Sequence, residues 1–223
     1  MPLQGIKITS LKCLYFPVPK NGTSTIGNIF ARHLGLSGDF YQAVKTPAFE
    51  ISGPTESYYD FFKFAFVRNP LSRLVSCYLN KIKTDLAGLE PKTRQLYTDR
   101  GVFIYYEKLW PKTDFASMTF ENFVDWVSAI PDEKSENHFC SQYRFFNRQD
   151  LDFIGRLETF ETDLKFVLET LKLRSRIPYL TRTGAQESWR SYFTPSALRT
   201  ACRRYQTDMA EFGYLEDGSL SLP

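Results

Sequence analysis

The 223-residue sequence has little of what a metal centre or a disulfide framework needs: four cysteines about 60 residues apart, no Cys-x-x-Cys pair, and two histidines. That poverty argues against a zinc site and for a reducing compartment. No apolar run is long enough to span a bilayer. The first fifteen residues, MPLQGIKITSLKCLY, hold neither a signal-peptide core nor a small-residue cleavage site, so a cytoplasmic protein without a membrane span is expected. Charge of one sign is lacking too. With 28 Lys and Arg against 25 Asp and Glu, the net charge of +3 gives no footprint for nucleic acid, and any anion site must be local. Repeats, low-complexity stretches and one-sign charge blocks are absent.

What is present is ordinary globular material. Hydrophobic residues make up 43%, including 20 Phe and 13 Tyr, which excludes a disordered chain. At this length one domain over residues 1–223 is expected, burying roughly 70% of the unfolded surface without staples.

Three short apolar runs, Leu11–Phe16, Phe61–Val67 and Leu151–Leu157, read as buried strands. Each is followed by a helical pattern. The first helix spans Ser24 to Leu34 with Ile26, Ile29, Phe30 and Leu34 on one face. The second starts at Asn69-Pro70, a cap followed by proline at the first helical position, and carries Leu71, Leu74, Val75, Tyr78, Leu79 and Ile82. Thr119 to Ile130 and Phe160 to Leu171 repeat the pattern. The last helix is capped by Thr194, striped by Leu198, Cys202, Tyr205, Met209 and Phe212, and stopped by Gly213. Strand-then-helix alternation predicts an α/β fold with a central parallel sheet, and ligands of such sheets gather beyond the carboxyl ends of the strands.

The loop after Phe16 reads Pro17-Val18-Pro19-Lys20-Asn21-Gly22-Thr23-Ser24-Thr25. It suits a phosphate: Gly22 admits a close backbone approach, Thr23, Ser24 and Thr25 offer hydroxyls and helix N-terminal amides, and Lys20 adds a charge. A proline-rich turn with a Ser/Thr cap explains the same residues. It is not a Walker A loop, because the lysine precedes the glycine. The second strand ends in Arg68-Asn69-Pro70-Leu71-Ser72-Arg73-Leu74-Val75-Ser76-Cys77-Tyr78. Arg68 can fork to a phosphate, and Ser76 falls off the apolar stripe on the same side of the helix as Asn69. Arg73 reads as a solvated charge.

Together these two loops, about 45 residues apart and both at strand-to-helix junctions, resemble the signatures of the sulfotransferase family, which binds phosphoadenosine phosphosulfate (PAPS). The first is similar to its 5′-phosphosulfate loop, the second to its 3′-phosphate motif, R-(D/N)-P-x-x-R-x-x-S-x-Y. The run Leu151-Asp152-Phe153-Ile154-Gly155-Arg156-Leu157-Glu158 resembles the D-x-I-G-(K/R)-x-E of the carbohydrate branch, in which Glu158 orients a cation of the site or starts a helix. Arg182 and Gly184 fall in a segment, through Trp189 and Phe193, similar to the loop that closes on the 3′-phosphate.

The resemblance implies a P-loop-like three-layer sandwich with helices on both faces of the sheet. It implies PAPS as co-substrate, held by Lys20, Asn21, Gly22, Thr23, Ser24, Thr25, Arg68, Ser76, Arg182 and Gly184, with no metal. Sulfuryl transfer also needs a base for the acceptor hydroxyl. His33 lies in the apolar stripe of the first helix and is expected to face the core. His138, in Asn137-His138-Phe139-Cys140-Ser141-Gln142, is similar to the carbohydrate branch's H-(W/F)-x-P-Q and is either the candidate base, with Glu50 and Glu56 as substitutes, or a loop histidine making local hydrogen bonds. Lys20 is the catalytic cation at the bridging oxygen. Tyr105, Tyr106, Trp110, Phe115 and Phe120 form a candidate platform for a glycan or other small-molecule hydroxyl acceptor, although the helical portion, Phe120 to Val127, reads as core. The rival readings are a P-loop-type phosphotransferase and a non-catalytic nucleotide-binding relative. The family also supplies an alternative compartment, the Golgi lumen, if the chain is a trimmed catalytic domain.

Overall fold

The computed structural model describes residues 5–36, 50–51, 55–83, 112–115, 117–177 and 188–221. Among the described residues the sheet has five strands: β1 (Ile6–Ile8), β2 (Cys13–Phe16), β3 (Glu50–Ile51), β4 (Phe62–Val67) and β5 (Phe153–Arg156), in the order β3-β1-β2-β4-β5. The three expected strands are present and parallel, with Phe16 opposite Ala65 and Val67 opposite Arg156. The sheet as a whole is mixed, because β1 runs antiparallel to β2 and to β3. Two strands of two or three residues are too short for a periodic pattern to register. The β1–β2 connection, a single turn over Thr9–Leu11, is too short for the crossover that a parallel neighbour requires.

Among the described residues the helices are α1 (Thr23–His33), α2 (Pro70–Lys81), α3 (Phe120–Ala129), α4 (Phe160–Thr170), α5 (Pro195–Arg204) and α6 (Gln206–Phe212). Strand alternation sorts them into layers. Cys13, Tyr15, Phe64 and Phe66 pack with Ile26, Ile29 and Phe30 of α1 and Leu164, Val167 and Leu168 of α4. Leu14, Phe16, Ala65 and Val67 face the other way, into a larger core with α2, α3, α5 and α6. The central sheet is thus flanked by helices on both faces. Gly155 lies against the Phe66 ring, where an added Cβ would stand 2.5 Å from ring carbon, so β5 can pair with β4 here only without a side chain.

Two expectations about helices are corrected. The last helix is two, broken at Tyr205 (φ −109°, ψ 20°), and the break brings the Tyr205 hydroxyl 2.6 Å from the Phe139 carbonyl. His33 does not face the core. It is exposed in the last turn of α1, with Nε2 3.3 Å from Ser10 Oγ, because the buried stripe of that helix closes at Ala31.

Candidate active site

Parallel pairing of β2 with β4 sets their carboxyl ends side by side, and this is how loops far apart in sequence meet. After β2, Val18 anchors the turn: its carbonyl accepts from Thr23 Oγ1 at 2.7 Å and from the Asn21 amide at 3.3 Å. Lys20 and Gly22 both take left-handed conformations, φ 74° and 78°. Gly22 is obligatory twice over, since a Cβ there would also stand 2.6 Å from the Phe160 ring. Lys20 is a strained position for a side-chain-bearing residue, and such strain gathers at functional sites. Ser24 and Thr25 follow in the first turn of α1, Thr25 buried and Ser24 half-buried.

Asn21 points inward. It is 1% exposed and donates through Nδ2 to the Phe66 carbonyl at 2.9 Å and to Gln142 Oε1 at 2.7 Å. It therefore straps the loop to β4, while its Oδ1 is buried without a partner among the described residues.

Asn69 caps α2 as the sequence predicts, Oδ1 accepting from the amides of Leu71 and Ser72 at 2.9 and 3.1 Å. The adjacent Arg68 is buried. Its Nε donates to Ser72 Oγ at 3.0 Å and its Nη1 to the Lys20 carbonyl at 3.4 Å, which ties the two loops directly. Ser76 is buried two turns further along α2. Glu158 is exposed at the end of β5 and acts on backbone and phenol: its carboxylate accepts from the Asn69 amide at 2.8 Å and from the Tyr214 hydroxyl at 3.0 Å.

Arg73 is the plainest correction, because it is 1% exposed where a solvated charge is expected. Its Nε donates to the Pro19 carbonyl at 3.0 Å, and its two terminal nitrogens to Cys140 and Asn137 carbonyls at 2.6 and 2.8 Å. One guanidinium thus fastens the loop before Lys20 to the segment that carries His138. The planar guanidinium spreads its donors over three nitrogens aimed at three separate carbonyls, whereas a lysine would have to reach them all from one ammonium nitrogen.

His138 is half-buried. Its Nδ1 stands 2.8 Å from Glu136 Oε1, and its amide donates to Glu136 Oε2 at 2.8 Å. Four residues on, Gln142 is fully buried and joins Asn21 to Arg68, and Asp208 of α6 accepts from the amides of Gln142 and Tyr143 at 2.8 and 3.0 Å. Burial pushes that carboxyl up to about 6, against the pull of the two amides.

The electrostatics follow from this crowding. Burial depresses the Lys20 ammonium to about 7, and the cations Lys81, Arg68 and Arg73 add to the depression. Burial likewise lowers Arg68 to about 10, with Glu158 opposing. His138 is lowered first by burial and then by Lys81 and Lys20, with Glu136 pulling the other way. Several cations crowded around helix N-terminal amides and hydroxyls are complementary to a multiply charged anion.

Lys20, Arg68 and His138 therefore share one site. Arg182, Gly184, Tyr105, Tyr106 and Trp110 lie outside the described residues, and Glu50 and Glu56 are described only as backbone. Phe115 is core rather than platform, packing edge-on against Trp126, and Phe120 is core as its helical stripe predicts, packing against Tyr78 and Phe193. Sequence reasoning passed over Arg73, Gln142, Asp208 and Glu136. The one available signal was the position of Arg73 and Gln142 inside quoted motifs.

Residues 9–215 match the Sulfotransferase family, and the chain belongs to it. Among curated relatives it is 30% identical over 140 residues to carbohydrate sulfotransferase 14 of Homo sapiens, covering 62% of this chain and 35% of that protein. It is 26% identical to the Danio rerio carbohydrate sulfotransferase 14 over 171 residues, 69% of this chain and 44% of the relative. With carbohydrate sulfotransferase 12 of Mus musculus it shares 26% over 168 residues, 68% and 40% of the two chains. The chain spans less than half the length of these relatives. No solved structure matches.

Proposed function

We propose that the chain is one PAPS-dependent sulfotransferase domain, moving a sulfuryl group from PAPS to a hydroxyl of a carbohydrate acceptor and releasing adenosine 3′,5′-bisphosphate. The observation that carries this reading is the joining of the Lys20 and Arg68 loops by Arg68 Nη1 and the Lys20 carbonyl, within electrostatic range of His138. The first-turn amides and hydroxyls of Gly22, Thr23, Ser24 and Thr25 suit the 5′-phosphosulfate in the manner of a P-loop. Asn21 serves from behind, as a strap. Arg68 and Ser76 take the 3′-phosphate, with Arg182 and Gly184 assigned there by resemblance.

PAPS supplies an activated sulfate whose leaving group is a phosphate. The residues have only to align and neutralise. Lys20 stabilises charge that grows on the bridging oxygen as the S–O bond breaks, an interaction stronger in the transition state than in the ground state. His138 accepts the acceptor's proton as the new O–S bond forms. No metal takes part in this scheme.

Names of the relatives support a glycan acceptor, and they give no support to a cytoplasmic location. The Golgi lumen, implied by the family resemblance, is the compartment we propose. Among the described residues no helix is long and apolar enough to cross a membrane.

The reading is tested by thermal shift with adenosine 3′,5′-bisphosphate against ATP plus magnesium, and by transfer of radiolabelled sulfate from PAPS to a panel of glycans, phenols and lipid alcohols. Stabilisation by the bisphosphate and labelling of glycans are expected. A preference for ATP would overturn the sulfotransferase reading, and labelling of phenols alone would overturn the acceptor class.

A further inference from the structure

The segment that carries His138 is held from four directions. Within it, the Glu136 carbonyl accepts from the Phe139 and Cys140 amides at 3.0 and 2.8 Å, closing one tight turn. Arg73 of α2 holds the Asn137 and Cys140 carbonyls. Tyr205 holds the Phe139 carbonyl, and the Cys140 side chain is buried in the core. The backbone of His138 is therefore fixed, and what remains to be decided is the state of its ring.

Glu136 decides it. Both of its carboxylate oxygens lie near Nδ1, at 2.8 and 3.0 Å, and Oε2 also accepts from the His138 amide at 2.8 Å. An ionised carboxylate only accepts hydrogen bonds, so the ring nitrogen facing it must carry a hydrogen. In the neutral imidazole the lone pair is then on Nε2. The chelate through the amide keeps the carboxylate from swinging away. The charged groups that act on this ring are Glu136, in direct contact from its own turn, and, through their charge, Lys81 at the end of α2 and Lys20 in the loop after β2. Two cations oppose a positive ring, and one carboxylate supports it.

We propose that Glu136 is the positioning residue of the catalytic base: it fixes His138 in the Nδ1–H tautomer, presents Nε2 to the acceptor hydroxyl, and offsets the charge of the imidazolium formed. This rests on the reading of His138 as the base. In the step, the acceptor oxygen forms its bond to sulfur as its proton passes to His138 Nε2. The bond from sulfur to the bridging oxygen breaks, and its electron pair leaves with adenosine 3′,5′-bisphosphate. The proton on Nε2 returns to solvent after release, so the reaction consumes PAPS and an alcohol and yields a sulfate ester, the bisphosphate and one proton.

The test uses Glu136→Ala, Glu136→Gln and His138→Ala in the full chain. Transfer from radiolabelled PAPS to a panel of desulfated glycans is measured across pH, alongside ring ¹⁵N spectra of histidine-labelled protein. With two histidines in the chain, a His33→Asn background assigns the signals directly. The wild type is expected to show a protonated Nδ1 and a pyridine-like Nε2. Glu136→Ala is expected to lower kcat by roughly 10- to 100-fold with KM for PAPS little changed, and to mix the tautomers. Glu136→Gln keeps an accepting oxygen and is expected to restore part of kcat, with the acidic limb of the kcat profile moved to lower pH. If His138→Ala is inactive while both Glu136 variants keep wild-type kcat and tautomer, the positioning role is overturned and the base survives. Full turnover in His138→Ala overturns the base reading, and the positioning role with it. Bisphosphate binding by each variant, at wild-type affinity, separates these results from unfolding.

Discussion

The side chain of Gln142 pairs with both backbone groups of Arg68: Oε1 accepts from the Arg68 amide at 3.0 Å, and Nε2 donates to the Arg68 carbonyl at 2.8 Å. The same Oε1 accepts from Asn21 Nδ2 at 2.7 Å. One primary amide thus does for Arg68 what a neighbouring strand would do, at the point where β4 has ended and no strand partner remains. It also fixes the distance between the loop of Lys20 and the loop of Arg68. The segment that bears the candidate base is for this reason part of the frame of the proposed anion site.

Replacing Gln142 by Ala leaves the Arg68 amide and carbonyl and the Asn21 amide without that partner at a buried position. A loss of about 3 kcal/mol of stability is expected, measured by urea unfolding, with weaker binding of adenosine 3′,5′-bisphosphate. Unchanged stability and affinity would show that water replaces the amide at no cost.

Arg73→Lys keeps the charge and removes the fork. A single ammonium nitrogen does not reproduce the separated donors that meet the carbonyls of Pro19, Cys140 and Asn137, so about 3 kcal/mol of stability should be lost and kcat should fall as His138 loses its support. A variant as stable and as active as wild type would count against the clamp.

Lys20 makes its prediction through pH. Its folded value of about 7 lies below the ordinary 10.5, so between these limits the unfolded chain holds a proton that the folded chain has released. Stability should therefore rise with pH across that window, and Lys20→Ala should flatten the rise. An anion bound beside Lys20 favours the charged form, so bisphosphate binding at pH 8 should take up close to one proton. Calorimetry in buffers of different ionisation enthalpy reads this directly. Equal proton uptake by wild type and Lys20→Ala would remove Lys20 from the anion site.

Gly22→Ala meets two obstacles, the left-handed backbone at φ 78° and the Phe160 ring. The backbone alone costs on the order of 1–3 kcal/mol. Thermal unfolding should show the loss, and adding Phe160→Leu should recover part of it. Full recovery would mean that the ring alone forbids a side chain there.

What the sequence by itself determined is whatever local physics governs. Short apolar runs became β2, β4 and β5. Asn69-Pro70 and Thr194-Pro195 started helices where capping requires, because a cap satisfies amides within its own three or four residues. The two phosphate-type loops were legible for the same reason, each being a single contiguous turn. The tertiary structure alone decided what long-range packing governs. A helical stripe gives a period and leaves open where burial stops, so His33 read as core and is exposed. Arg73 lies off the leucine stripe and read as surface, yet a third segment covers it. Gln142 and Asp208 were polar residues in a loop and a late helix until folding brought them against Arg68 and the Gln142 amide. Their meaning resides in partners 66 and 74 positions away, and only the folded chain sets those distances.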